Sequence, residues 1–252
     1  MALTYGTIWG QFGDEKAETE AQFQPLGTRM ILPDGRIFYY AKNSSAAIDS
    51  AGMIVDGIAL VAAHDMDVAA TATTAGSFTV TSGTSLTVTK DQYKDGYIIF
   101  NDGPGEGEVY RIQGNSAVSG ATGLEVTIDE PQGFRTALTT SSLFGLVYNP
   151  YTDVKLIDGD GTMTTGALGV TQIPVTASYY CWIQTMGLCS VALGAVVGIV
   201  GDGLQISQAS GESGRAELYD TSGNDDLESI GTAIGIPSVD TDKQLCLLKI
   251  RG

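Results

Sequence analysis

The chain is short of positive charge, of histidine, of cysteine and of strong helix formers. Thirteen Lys and Arg stand against 29 Asp and Glu, a formal charge of −16. The acidity is spread along all 252 residues, with no basic block. Nonspecific nucleic-acid binding rests on clustered Lys and Arg, so no nucleic-acid partner is expected. The single histidine, His64 in "VAAHDMDVA", is the only one a Ser-His-Asp or Cys-His arrangement could use, and no G-x-S-x-G elbow accompanies it. Cys181, Cys189 and Cys246 form no CxxC pair. An odd, scattered set of this kind reads as reduced thiols rather than a disulfide framework. The opening "MALTYGTIWG" has no basic region followed by an apolar run, so no secretory address is expected.

A second group of absences concerns ligands. "DGPGEGEVYR" lacks the Lys-Ser/Thr of a phosphate loop and carries Glu106 and Glu108 instead; it reads as a hairpin turn. "DGDGTMTTG" pairs Asp158 with Asp160, but position six of a calcium loop is Met163 rather than Gly. Asp220, Asp225 and Asp226 cluster without a recognisable ligand spacing. No cofactor, metal site or catalytic residue is assigned. Carboxylate pairs for glycoside hydrolysis are set by folding and not by spacing, so the sequence offers no positive sign of an enzyme.

What is present is β structure. Thirty-three glycines and seven prolines punctuate segments rich in Thr, Val, Ile and Tyr, the pattern of an all-β protein with short strands and little helix. Residues 1–25 read as an N-terminal arm carrying Trp9, Phe12 and Phe23, strapped over its own core or over a neighbouring subunit. Residues 26–76 read as a hairpin turning at Pro33-Asp34-Gly35, a short helix near Asn43–Gly52, and a linker at 65–76. Residues 77–148 alternate strand and glycine turn as a barrel or sandwich module, and 149–252 continue as a C-terminal β module. The closing run "QLCLLKI" reads as a core strand that closes a sheet.

The run 181–204, "CWIQTMGLCSVALGAVVGIVGDGL", has no charge before Asp202 and is long enough to span a bilayer. Its recurring glycines (Gly187, Gly194, Gly198 and Gly201), its interrupting Gln184, Thr185 and Ser190, and the lack of flanking Lys or Arg argue against a membrane. It reads as strand, turn and strand, in a core or on a subunit contact that includes Val196 and Val197.

"LGTRMILPDGRIFYYAKN" (26–43), "GVTQIPVTASYYCWIQTMGLCSVAL" (169–193), "GEGEVYRIQGN", "LVYNPYTDV", "ESIGTAIGI" and the closing "LCLLKI" together resemble capsid decoration, or cement, proteins of tailed bacteriophages. The resemblance implies an all-β protein made in the host cytoplasm and carried on the outer surface of an icosahedral capsid. It implies two partners, the major capsid protein and further copies of itself in a homotrimer. The Arg29/Arg36 hairpin and the Tyr180-x-Trp182-x-Gln184 segment are its landmarks and, with the arm aromatics, the expected interface. The alternative is a tail- or fibre-associated β protein that recognises a host glycan.

Overall fold

The structure, a computed structural model, describes residues 6–158, 164–194, 200–219, 229–235 and 243–251. It falls into two units, one made of 1–58 with 150–252 and one of 59–149. The described residues are almost all strand, turn and bend; the one helical element among them is a single 3-10 turn at Asp14–Lys16.

The first unit begins with three strands, β1 (Thr7–Trp9), β2 (Arg29–Ile31) and β3 (Ile37–Lys42). β2 and β3 form the hairpin read from Pro33-Asp34-Gly35. Gly35 takes φ 83°, a left-handed value that suits glycine. The Asp34 carboxylate accepts from the Arg36 backbone N–H at 3.2 Å and closes the turn. β1 runs parallel to β2, and Thr19 then bridges to Tyr180. The arm therefore straps over its own unit. Glu15, buried in the 3-10 turn, lies 3.4 Å from the Arg36 guanidinium and also accepts from Gly13 N–H. Glu18 accepts from the backbone and the hydroxyl of Thr176.

The short helix expected near Asn43–Gly52 is absent; the segment is bends and a turn. The buried Asn43 amide donates to the carbonyls of Ala46, Val175 and Thr176, and Ile48 bridges to Val175. Side-chain bonds of this kind compete with the helical ladder, and here they hold the segment extended. Strand β4 (Ile54–Asp56) follows.

The second unit holds β5 (Val68–Ala69), β6 (Thr79–Thr81), β7 (Leu86–Val88), β8 (Tyr97–Asp102), β9 (Val109–Asn115), β10 (Val118–Ala121), β11 (Glu125–Ile128) and β12 (Leu143–Val147). Six of them form one sheet, in the order β5-β12-β8-β9-β11-β6, and β7 pairs with β10. The sheet edges meet again: Ala70 bridges to Ser82, and Thr71 and Gly83 donate across the seam at 2.8 and 2.7 Å. The sheet thus curls into a barrel. The stretch read as a linker at 65–76 supplies β5 and this seam. Its Ala/Thr composition gives no alternation from which so short a strand can be read. Phe100 sits at the centre of the fill, edge-on to Tyr110, Phe134 and Phe144.

The chain then returns to the first unit with β13 (Lys155–Leu156), β14 (Gly169–Thr171), β15 (Tyr180–Ala192), β16 (Gly203–Ile206), β17 (Ala216–Leu218), β18 (Gly231–Ala233) and β19 (Lys243–Lys249). The main path of the sheet is β1-β2-β3-β15-β19-β18-β16-β17, with β4, β13 and β14 branching from β15. The thirteen-residue β15 organises it. Its first half pairs with β3 and its second half with β19, and the register shifts between Gln184 and Met186. Two apolar clusters result. One joins Met30, Phe38, Tyr40 and Trp182, and the other joins Cys189, Val191, Leu204, Cys246 and Leu248.

Candidate docking face

β19 shows where the chain departs from ordinary burial. Its residues alternate exposed and buried, but Leu245 and Leu247 occupy exposed positions between Lys243 and Lys249. An antiparallel sheet with one solvated face normally presents polar residues there. The closing strand expected to be core is core on one side only.

Cross-strand register extends the pattern. Residues directly opposite one another point to the same side of a sheet. Leu188 of β15 faces Leu247, which faces Thr232 of β18. Ser190 faces Leu245, and Met186 faces Lys249. Leu188, Leu245 and Leu247 are 50%, 48% and 48% exposed, and Met186 and Ile234 are exposed as well. These side chains make one aliphatic patch on one face of the first unit's sheet. A hollow of about 660 Å³ opens in it, lined by Gly35, Met186, Gly187, Thr232, Leu247 and Lys249 among others. Residues 243–251 carry Lys243, Lys249 and Arg251 and no acid. In a chain of −16, the patch has a cationic rim.

The bulge beside this hollow explains a sequence landmark. Ile250 N–H donates to the Thr185 carbonyl at 3.0 Å. In an antiparallel ladder that makes the 185–250 pair hydrogen-bonded and the 186–249 and 188–247 pairs not. The carbonyls of Met186 and Leu188 therefore turn away from β19. The buried Gln184 amide donates to both, at 3.0 and 2.9 Å.

The expected interface residues divide. Trp9, Phe12 and Phe23 are 77%, 64% and 61% exposed, although the arm that carries them is pinned. Trp9 faces Ile31, which faces Ile37, which faces Met186. Trp9 thus belongs to the same sheet face, separated from the aliphatic patch by the buried Ile37. Arg29, facing Tyr39, is half-buried. Arg36 is held by Glu15 and Asp34 and lies 5.6 Å above the Phe38 ring. Tyr180 stacks on Tyr40 at 5.7 Å, and Trp182 tilts against the same ring at 4.9 Å. Trp182 and Gln184 are buried within this unit, so they build the face from behind and offer no surface of their own. Val196 and Val197 lie outside the described residues. Residue-by-residue reading missed Leu188, Leu245 and Leu247. The signal was the alternation Lys-Gln-Leu-Cys-Leu-Leu-Lys, in which both faces of the strand carry apolar residues.

The other polar clusters are held by hydrogen bonds within the chain. Gly103–Glu108 turns β8 into β9 as a hairpin, with Glu106 N–H bonded to Gly103 O and Glu108 N–H to Gly105 O. Burial works to raise the Glu108 carboxyl, but bonds from Thr136 and Tyr110 and the nearby Arg135 charge outweigh it and hold the group below its ordinary value. His64 is buried with Nδ1 2.6 Å from the Tyr93 hydroxyl, and burial lowers its pKa. Asp158 accepts from Ser213 Oγ at 3.4 Å; Asp160, Asp220, Asp225 and Asp226 lie outside the described residues. Among the described residues there is no cluster of three metal-ligating side chains, and no helix is long and apolar enough to cross a membrane.

No known family, no curated protein and no solved structure matches this chain.

Proposed function

We propose that the chain is a non-enzymatic structural protein of a virion, which binds the outer surface of an icosahedral phage capsid as a homotrimer and stabilises it. The supporting observation is the aliphatic face of Leu188, Leu245 and Leu247 with its Lys243/Lys249 rim. Exposed apolar patches rimmed by polar groups mark interaction sites. The pinned arm adds Trp9, Phe12 and Phe23, side chains of the kind that dominate interface centres. The sequence resemblance to decoration proteins supplies the partners, the major capsid protein and further copies of the chain. Binding the assembled shell and not its separated subunits shifts the equilibrium toward the shell. Many copies, each gripping more than one subunit, turn modest contacts into avidity.

The test is to add purified protein to capsids stripped of it and to pellet them. Saturable binding, in a simple ratio to the shell protein and with a raised disruption temperature, is expected. Capsids that neither bind it nor gain heat resistance would overturn the reading.

One observation favours the alternative, a tail- or fibre-associated protein that recognises a glycan. The barrel carries an open hollow of about 620 Å³ lined by Glu108, Tyr110, Glu130, Gln132 and Arg135, polar groups of the kind that hold hydroxyls in place. Adsorption of the purified protein to host cells, blocked by soluble host polysaccharide, would favour that reading.

A further inference from the structure

All three cysteines are buried free thiols, but two of them are not isolated. Cys189 of β15 and Cys246 of β19 are direct cross-strand partners. Both project into the same apolar cluster, with Val191, Leu204 and Leu248. The Ile250-to-Thr185 bond sets the phase of the ladder, and two steps further along, the 189–246 pair is again hydrogen-bonded. Cα atoms in such a pair stand about 5.5 Å apart. The commonest Cα separation across a disulfide is about 5.5–6 Å. Facing Cβ atoms of a hydrogen-bonded pair start near the upper end of about 4.5–5.5 Å and close to about 3.5–4.5 Å in a disulfide, a movement of about 1–2 Å that the two strands must supply. Cys181 has no such partner, since it faces Ala41.

We propose that Cys189 and Cys246 are a cross-linking site, a reduced dithiol that closes to an intramolecular disulfide when the protein meets a disulfide oxidant. With oxidised glutathione the chemistry balances in two exchanges. One protein thiolate attacks the glutathione disulfide, forming a mixed disulfide and releasing one glutathione thiolate. The second protein thiolate then attacks the protein sulfur of that bond and releases the other. Two protein thiols lose two electrons and two protons, and one glutathione disulfide becomes two thiols.

Burial raises both thiols to about 12. The attacking thiolate is therefore scarce while β19 is docked, and the bond forms through opening of that strand. A slow reaction that accelerates with pH follows. The bond would tie β15 to β19, the two strands that present Leu188 and Leu247, and close the chain between residues 189 and 246 into a loop. It would fix the aliphatic face in one register whatever that face binds.

The experiment oxidises the full-length protein with glutathione disulfide at pH 8.5, quenches by alkylation, and reads intact mass and non-reducing peptide maps. The expected product has lost two hydrogens, is alkylated at Cys181 alone, and yields a peptide linking Cys189 to Cys246. Its melting temperature rises by several degrees, and a reductant reverses the rise. Cys181→Ser gives the same link; Cys246→Ser gives none and gains no thermal stability. Oxidation is repeated in urea just below the unfolding midpoint, so that slow access alone cannot hide the link. Three alkylated thiols, a stable glutathione adduct, or a link through Cys181 under both conditions would overturn the proposal.

Discussion

Leu188 and Leu247 face each other across β15 and β19, and each leaves about half of its surface in solvent. The next residue along, Leu248, is 1% exposed on the opposite side. Adjacent leucines on one strand thus have different work to do. Leu247→Glu should alter folding stability by no more than about 0.5 kcal/mol, as surface changes usually do, while weakening capsid binding at least tenfold. Leu248→Ala should instead cost about 2–5 kcal/mol through the cavity it leaves. Chemical denaturation and capsid pelleting of the two variants separate these effects.

Arg36 links the hairpin to the arm through the buried Glu15. Arg36→Ala removes the cation and leaves the carboxylate with only the Gly13 N–H at 2.6 Å. A cost of about 1–3 kcal/mol is expected for that under-satisfied group. Faster amide exchange over residues 7–16, measured by mass spectrometry, would accompany it.

Gly145 in β12 lies against the Asp65 backbone, where an added Cβ would run into the carbonyl oxygen. Backbone cannot yield as a flexible side chain does. Gly145→Ala is therefore expected to destabilise the barrel by more than about 2 kcal/mol. Gly107→Ala, where no atom lies within 4 Å, pays only for its positive φ of 82°. The two melting curves should differ accordingly.

His64 provides a pH dependence. Burial lowers its pKa below the ordinary 6.5, so the unfolded chain binds the proton more tightly than the folded one. The resulting stability is fully present above about pH 6.5 and is eroded as the pH falls from there through the folded-state value. His64→Gln should flatten that part of the stability profile, read by urea titrations between pH 8 and 5. An unchanged slope would remove His64 as its source.

The β character, the Pro33-Asp34-Gly35 hairpin and most strand segments were legible because turn chemistry and period-two alternation are local. The helix near Asn43 was misread because its outcome depends on Asn43 reaching the carbonyls of Val175 and Thr176, more than 130 residues away. Gln184, expected at an interface, is buried and hydrogen-bonded within its own strand. It satisfies the Met186 and Leu188 carbonyls at a bulge, a role set by where β3 begins at Ile37. The aliphatic face was hidden because apolar residues on both sides of β19 read as a strand buried on both sides. Only the path of the sheet, with a core on one side of β15 and β19 and solvent on the other, separates Leu247 from Leu248.

The most direct test of the account is the copy number of this chain relative to the major shell protein in purified virions, by quantitative mass spectrometry. A decoration protein is expected near one copy per shell subunit, or at a simple fraction such as one third. A handful of copies per particle, as for tail components, or absence from virions would contradict it.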